Sequence, residues 1–299
     1  MFVATRELSF DGAVVLVTGG ARGVGAGIAS VFREYGAEVV VCGRTPPDGA
    51  GPDFVRCDVR DPESIAVMME QVLDRHQRLD VVVNNAGGAP YADAAEASPR
   101  FHDKVVQLNL LAPLHVAQQA NAVMQHQKTG GSIVMVGSVS GRRASPGTAA
   151  YGAAKAGIDG LTASLAAEWA PKVRVNALAV GMVRTESAQL HYGSEDGIAA
   201  VAGTVPLRRL AEPREIGTCA AFLASPLASY VTGASLLVHG GGERPAFLSA
   251  SDSEGVRSVR RIGGVSGVSG VGGVGGAGGA GGAVASSGGH DNRRENVDE

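Results

Sequence analysis

Aromatic residues are scarce in this chain, making up 4% of its 299 residues, and cysteine occurs only three times. The cysteines lie far apart, at Cys42, Cys57 and Cys219, which indicates neither a disulfide framework nor a zinc site. No continuous apolar run is long enough to span a membrane, and the first residues lack the apolar core of a signal peptide. We therefore expect a protein of the cytoplasm that holds no metal and does not associate with membranes.

An excess of positive charge is also missing. The 26 Lys and Arg residues are balanced by 29 Asp and Glu residues, giving a formal net charge of −3 with both signs interspersed. Proteins that bind nucleic acid usually carry a strongly basic face or stripe. The charge pattern therefore predicts no nucleic-acid partner.

Composition divides the chain unequally near Leu248. Before that point apolar runs alternate with amphipathic stretches, which is enough for one large domain with a substantial core. After it the chain is mostly Gly, Ser, Val and Ala, so burial cannot offset the entropy lost on ordering. We predict one folded domain over residues 1–248 and a disordered, low-complexity tail over residues 249–299.

Short β-branched runs and helical stretches alternate through the first domain. The runs are nearly continuous rather than alternating, as in parallel strands covered on both faces. The predicted strands are Ala13–Val17, Glu38–Val41, Val81–Val83, Ser132–Val136, Val173–Ala177 and Ser235–Val238. The predicted helices are Ala26–Tyr35, Pro62–His76, Arg100–Gln127, Ala150–Trp169 and Pro213–Ala224, with a loop over Thr45–Pro52. This order predicts an α/β fold with a single Rossmann-type, doubly wound parallel sheet and helices on both faces.

A glycine cluster follows the first strand and precedes the first helix. Its sequence runs from Thr18 to Gly25 as Thr-Gly-Gly-Ala-Arg-Gly-Val-Gly. Glycines here let backbone N–H groups approach a pyrophosphate, and the helix dipole favours its negative charge. The position of the cluster between strand and helix predicts nucleotide binding.

With this spacing the chain resembles the short-chain dehydrogenase/reductase family from about Asp11 to Gly242. Asn84-Asn-Ala-Gly87, Asn109, Ser138, Tyr151 and Lys155 follow in the family's order. The family usually has Pro-Gly after the sixth strand, where this chain has Val180-Gly181. The resemblance implies the family's fold, a nicotinamide dinucleotide and a homodimer or homotetramer.

The resemblance also implies which residues hold the cofactor. Asp58 and Val59 would contact adenine, the Asn84–Gly87 stretch would flank the adenosine half, and the segment after Gly181 would meet the carboxamide. The full set of implied cofactor contacts is Thr18, Gly19, Arg22, Gly23, Val24, Gly25, Arg44, Asp58, Val59, Asn85, Ala86, Gly87, Tyr151, Lys155, Gly181, Val183 and Thr185.

Cofactor choice depends on the residue after the second strand. Enzymes that prefer NAD commonly place a carboxylate there for the ribose 2′-hydroxyl. Here Gly43 and Arg44 occupy the place, and a guanidinium can bind a 2′-phosphate by charge-assisted hydrogen bonds. Arg22 could add a second cation. We expect NADP(H) to be favoured, with NAD(H) as the alternative.

Tyr151 and Lys155 are one helical turn apart in Tyr-Gly-Ala-Ala-Lys, so their side chains can share a face. A free phenol titrates near 10, and lowering its pKa by ~3 units needs roughly 4 kcal/mol, which a close ammonium can help supply. The resemblance implies Tyr151 as general acid and base, and Lys155 as the residue that lowers its pKa and binds the nicotinamide ribose. By the same resemblance Ser138 holds the substrate oxygen, and Asn109 supports a water chain.

These features predict an oxidoreductase that interconverts a ketone and a secondary alcohol. Specificity is expected in Gly88–Ala97, after Ser138, and in Glu186–Pro206, a segment whose composition is typical of a mobile lid. A 3-oxoacyl thioester and a steroid-like ketone both remain open as substrates. Enoyl reductases of the superfamily separate Tyr and Lys by more residues. The alternative from another class is a catalytically inactive protein that senses nucleotide.

Overall fold

Seven parallel strands form one sheet in the order β3-β2-β1-β4-β5-β6-β7. The computed structural model describes residues 8–47, 53–243 and 245–253. The strands are β1 Val14–Thr18, β2 Glu38–Gly43, β3 Phe54–Arg56, β4 Val81–Asn84, β5 Gly131–Ser138, β6 Val173–Val180 and β7 Ser235–Val238. The order reverses between β1 and β4, so a crevice opens there at the carboxyl ends of the strands.

Nine α-helices occur in the part of the chain that the structure describes. They are α1 Gly23–Glu34, α2 Pro62–His76, α3 Pro99–Val106, α4 Ala112–His126, α5 Ala149–Trp169, α6 Ala188–Tyr192, α7 Glu195–Thr204, α8 Pro213–Ala224 and α9 Ala246–Ala250. One turn of π-helix, Gln107–Leu111, joins α3 to α4.

The sheet has a core on each face because alternate strand residues point in opposite directions. On β1, Leu16 packs with residues of α2, α4 and α5. Its neighbours Val15 and Val17 pack with residues of α1 and α8 on the other face. Both faces are therefore apolar, which explains the continuous hydrophobic runs in the strands.

The predicted doubly wound fold is confirmed, and all six predicted strands are present. The sequence interpretation missed β3, because a strand of three residues is too short to show a periodic pattern. It also placed the start of α1 three residues too late. Within Glu186–Pro206, the structure forms α6 and α7, and Ala188 and Ile198 pack in a small core with Leu210.

The apolar stripe on α5 packs inward. Ile158 and Leu165 are buried, and Leu161 and Trp169 contact the same core. None of the helices in the described ranges has the length and apolar character needed to cross a membrane. The predicted tail over residues 249–299 lies outside the described residues from 254 onward, and α9 extends two residues past the predicted boundary.

Candidate active site

A cleft of about 770 Å³ opens at the carboxyl ends of the strands. Its floor and walls come from the turns after β1, β2, β3, β4, β5 and β6 and from the N-terminal parts of α1 and α5. Of the predicted site residues, these line it: Gly19, Arg22, Gly23, Val24, Gly25, Arg44, Asp58, Val59, Asn85, Ala86, Gly87, Ser138, Tyr151, Lys155, Gly181, Val183 and Thr185. Residues from seven separate segments thus meet around one space.

The glycine loop can take its path because of backbone freedom at two positions. Gly19 and Gly23 have φ of 63° and 53°, in the left-handed region that side chains disfavour. A Cβ on Gly25 would collide with the carbonyl oxygen of Gly19. The loop therefore brings the start of α1 to the cleft, where backbone N–H groups of a helix can bind a phosphate.

Thr18 and Asn109 lie behind the cleft rather than in its lining. The Thr18 hydroxyl accepts hydrogen bonds from the backbone N–H groups of Asn85 and Ala86, each at 3.0 Å. The Asn85 amide returns a bond to the Thr18 carbonyl at 2.9 Å. The buried Thr18 side chain thus joins the turns after β1 and β4, and its contact with a cofactor stays a prediction.

Asn109 fixes the same turn from the helical side. Its Nδ2 donates to the carbonyls of Gly88 and Val105 at 3.0 and 2.9 Å, and its Oδ1 accepts from the Gly88 N–H at 2.9 Å. It lies in the π-helical turn, a feature that recurs at functional sites. Both amide donors are thus used on backbone, so its role in this state is to hold the loop after β4.

Gly87 lies between the side chains of Asn109 and Lys155. A Cβ at this position would approach Asn109 Oδ1 to 2.7 Å and Lys155 Nζ to 3.3 Å. A side chain at this position would therefore require the Asn109 and Lys155 side chains to shift.

Ser138 ends β5, and Tyr151 and Lys155 lie on α5, so one crossover brings the three together at the cleft wall. Lys155 Nζ donates to the Val136 carbonyl at 2.8 Å and lies 5.7 Å from the centre of the Tyr151 ring. The Ser138 hydroxyl accepts from the Ser140 N–H at 3.1 Å, which orients the serine. Three of the four predicted catalytic residues are thus adjacent in space, and the fourth, Asn109, lies behind the cleft.

Burial governs the titration of this group. It lowers the pKa of Lys155 to about 8, because a buried ammonium loses its hydration. Burial also raises the pKa of Tyr151, and an interaction with the Ser138 hydroxyl partly opposes the rise. The sequence interpretation expected Lys155 to lower the tyrosine pKa; instead the ammonium is directed to the Val136 carbonyl, and the effect of burial is larger.

At the opposite end of the cleft, Asp58 is held by a neighbour that the sequence interpretation missed. Arg60 Nε donates to Asp58 Oδ1 at 2.9 Å, and this contact is the main cause of the lowered pKa of Asp58. Arg44 contributes more weakly to the same lowering. Within the described ranges neither Arg22 nor Arg44 forms a salt bridge at contact distance, and both residues line the cleft.

Comparison with known proteins now adds to the geometry. A family model described as "Enoyl-(Acyl carrier protein) reductase" matches residues 19–243. Oxidoreductase UcpA of Escherichia coli (strain K12) is 37% identical over 256 residues, covering 80% of this chain and 97% of the relative. The chain belongs to the short-chain dehydrogenase/reductase family.

Two further members of this family show how wide the resemblance is. The 3-oxoacyl-[acyl-carrier-protein] reductase FabG of Vibrio cholerae is 36% identical, over 78% of this chain and 98% of the relative. The ligand-free structure of Thermoplasma acidophilum aldohexose dehydrogenase superposes with a TM-score of 0.74 at 31% identity, covering 78% of this chain and 94% of that one.

Membership in the short-chain dehydrogenase/reductase family implies use of NAD(P), and the cleft suits such a dinucleotide. Backbone N–H groups at the start of α1 and the two arginines in its lining supply donors for phosphate. Bound there, the cofactor would supply hydride transfer.

Several cleft residues were not named individually among the predicted site residues. Besides Arg60, the lining includes Glu186, His191 and Tyr192, which come from the segment after β6 and from α6. The pKa of Tyr192 is raised, first by burial and then by the nearby Tyr91 and Tyr151. The composition of Glu186–Pro206 predicted a role for this segment in specificity, but it did not single out these residues.

Proposed function

We propose that this protein is an NADP(H)-dependent oxidoreductase that interconverts a ketone and a secondary alcohol. The observation that carries the proposal is the meeting of Ser138, Tyr151 and Lys155 on one wall of the dinucleotide-sized cleft. The four-residue separation of Tyr151 and Lys155 favours carbonyl chemistry over the enoyl reduction that the family model's description mentions.

In reduction, Tyr151 donates its phenolic proton to the carbonyl oxygen as charge develops there. The Ser138 hydroxyl donates a hydrogen bond to the same oxygen and holds it in place. Lys155 is still largely protonated at neutral pH, because its pKa is about 8. The ammonium, 5.7 Å from the centre of the phenol ring, supplies donors for a ribose hydroxyl.

Preference for NADP(H) rests on Arg44 and Arg22. Both are exposed cations of the cleft lining, Arg44 lies directly after β2, and the carboxylate nearest to it in the cleft, Asp58, is already engaged by Arg60. A 2′-phosphate would therefore meet positive rather than negative charge. NAD(H) is the weaker alternative.

A Tyr151→Phe variant tests the mechanism. It should lower kcat by about 10²- to 10⁴-fold, the usual contribution of a general acid, while leaving the Kd for NADPH nearly unchanged. Tyr230→Phe is the matched control, because Tyr230 is fully exposed. Turnover of a ketone panel is followed by nicotinamide absorbance; NADPH binding without any turnover would favour the nucleotide-sensing alternative.

The substrate end of the cleft is polar and aromatic, with His191 and Tyr192 in its lining. The adjacent rim carries an ion pair in which Arg143 Nε donates to Glu243 Oε1 at 2.9 Å. These groups favour an oxygen-rich carbonyl substrate over a steroid. A panel of 3-oxoacyl thioester, aldohexose and steroid ketone should therefore rank the steroid last by kcat/KM.

We further propose that the protein is a homodimer or homotetramer. Support comes from large apolar side chains that stay exposed near β7, namely Phe222, Leu227, Leu236 and Leu237. Light scattering after size exclusion measures the state, and a mass equal to one chain would refute it. The free thiols of Cys42, Cys57 and Cys219 suit the reducing cytoplasm, where we place the protein.

A further inference from the structure

A carboxylate from a distant segment is bonded to the first N–H of α1. The Gly23 N–H donates to Glu186 Oε1 at 2.9 Å, although the two residues are 163 positions apart. Glu186 lies directly after Thr185, whose side chain also faces Gly23 across the cleft. The Glu186 carboxylate thus contacts the N-terminus of α1, where we expect a pyrophosphate to bind.

This contact replaces a local cap. The residue before α1, Arg22, forms no side-chain cap, and the first turn of α1 contains no acidic residue. In contrast, α2, α3 and α7 are capped by their own preceding residues, Asp61, Ser98 and Ser194. The unpaired N–H groups and the positive end of the α1 dipole therefore attract whichever anion is at hand.

We propose that Glu186 is an internal competitor for the cofactor, which holds the start of α1 until the pyrophosphate displaces its carboxylate. Two anions cannot share the same N–H groups, so binding of the dinucleotide requires Glu186 to move away. The inference rests on the proposed use of a nicotinamide dinucleotide, but not on the preference between NADP and NAD.

Displacement of Glu186 also couples the two ends of the cleft. Glu186 begins the segment that leads two residues later into α6, and α6 carries His191 and Tyr192 of the cleft lining. Release of the carboxylate frees the first part of this segment at the moment the cofactor binds. Glu186 is therefore a residue that sets cofactor affinity and links it to the substrate end.

The test measures dinucleotide affinity in the full-length protein by titration calorimetry. Glu186→Ala removes the carboxylate, Glu186→Gln keeps its shape without charge, and Glu195→Gln is the matched control. Glu195 is an exposed carboxylate further along the same segment, paired with Arg184 at 2.9 Å, and it does not touch α1. Each variant is titrated with NADPH, NADH and adenosine 2′-monophosphate, which has no pyrophosphate.

We expect both Glu186 variants to bind NADPH and NADH about three- to tenfold more tightly, with Glu195→Gln unchanged. The gain is modest because solvent screens the exposed carboxylate. Affinity for adenosine 2′-monophosphate should not change. Unchanged or weaker dinucleotide binding would overturn the proposal, as would equal tightening of the nucleotide without pyrophosphate, which would indicate general charge repulsion.

Failure of the proposed function would look different. Dinucleotide binding without turnover of any carbonyl compound would sink the oxidoreductase assignment and leave the affinity comparison intact. Turnover of a carbonyl compound, with no gain in dinucleotide affinity on removal of Glu186, would refute the proposed competition and leave the oxidoreductase assignment intact.

Discussion

Replacing Lys155 with methionine should stabilise the folded protein while removing the ammonium that the proposed chemistry needs. Lys155 is 4% exposed, and burial lowers its pKa from 10.5 to about 8. A proton bound at neutral pH is therefore held less tightly in the folded state than in the unfolded state. At about 1.36 kcal/mol per pKa unit, the difference between the two pKa values lowers the free energy of unfolding by up to about 3.4 kcal/mol.

The pH dependence gives the sharper measurement. Below about pH 8 Lys155 is protonated in both the folded and the unfolded state, so its buried charge lowers the free energy of unfolding by the full amount. As the pH rises from about 8 to about 10.5 the folded state loses its proton first, and the cost fades. Linkage gives a cost of about 3.3 kcal/mol at pH 7 and about 0.8 kcal/mol at pH 10, so the wild type should gain about 2.5 kcal/mol relative to Lys155→Met.

Urea denaturation of both proteins at the two pH values is the assay. Lys172→Met is the control. Lys172 is exposed and lies immediately before β6, and its amine donates a hydrogen bond to the Gln125 carbonyl. Lys155→Met also loses the hydrogen bond to the Val136 carbonyl, which reduces its gain in the free energy of unfolding at neutral pH. Because methionine does not titrate, this loss is the same at both pH values in the variant. A stability difference between wild type and Lys155→Met that does not change with pH would refute this reasoning.

Three further predictions concern cofactor preference, the loop after β4 and the tail. Arg44→Asp should lower the ratio of kcat/KM for NADPH over NADH by about 10- to 100-fold, since a charge-assisted bond becomes a repulsion; an unchanged ratio would contradict the role of Arg44. Asn109→Ala should lower the free energy of unfolding by about 1–3 kcal/mol, because it leaves the buried Val105 carbonyl and both backbone groups of Gly88 without the amide that bonds to them. Urea denaturation measures the change, and a loss well below about 1 kcal/mol would show that water replaces the amide. Deleting residues 249–299 should leave turnover intact, and a large loss of kcat would show that the tail takes part.

Much of the architecture could be predicted because the signals are local. Continuous apolar runs identify parallel strands buried on both faces, and the motif residues follow those strands directly. Ser138 ends β5 and Tyr151 opens the helix that packs on it, so sequence order alone brings them together. The same logic places the glycine loop at the crevice.

The remainder depends on contacts that no local pattern encodes. The bond from Gly23 to Glu186 joins residues 163 positions apart, and β3 is too short for its period to be recognised. The sequence also could not show the direction of the Thr18 side chain. Thr18 belongs to the nucleotide motif, and its hydroxyl accepts from Asn85 and Ala86 behind the cleft. The raised pKa of Tyr151 follows from three-dimensional burial, which its spacing from Lys155 does not reveal.

The π-helical turn Gln107–Leu111 has a consequence for how this protein can change over time. Such a turn accommodates one surplus residue within an otherwise ordinary helix. Excising a single amino acid other than Asn109 there would restore regular winding and leave the helices on either side close to their present orientation, because the bulge already absorbs the extra residue. The local direction of Asn109 would change, and with it the hydrogen bonds that hold the loop after β4. A single-residue deletion in this stretch should thus lower activity more than it lowers the free energy of unfolding.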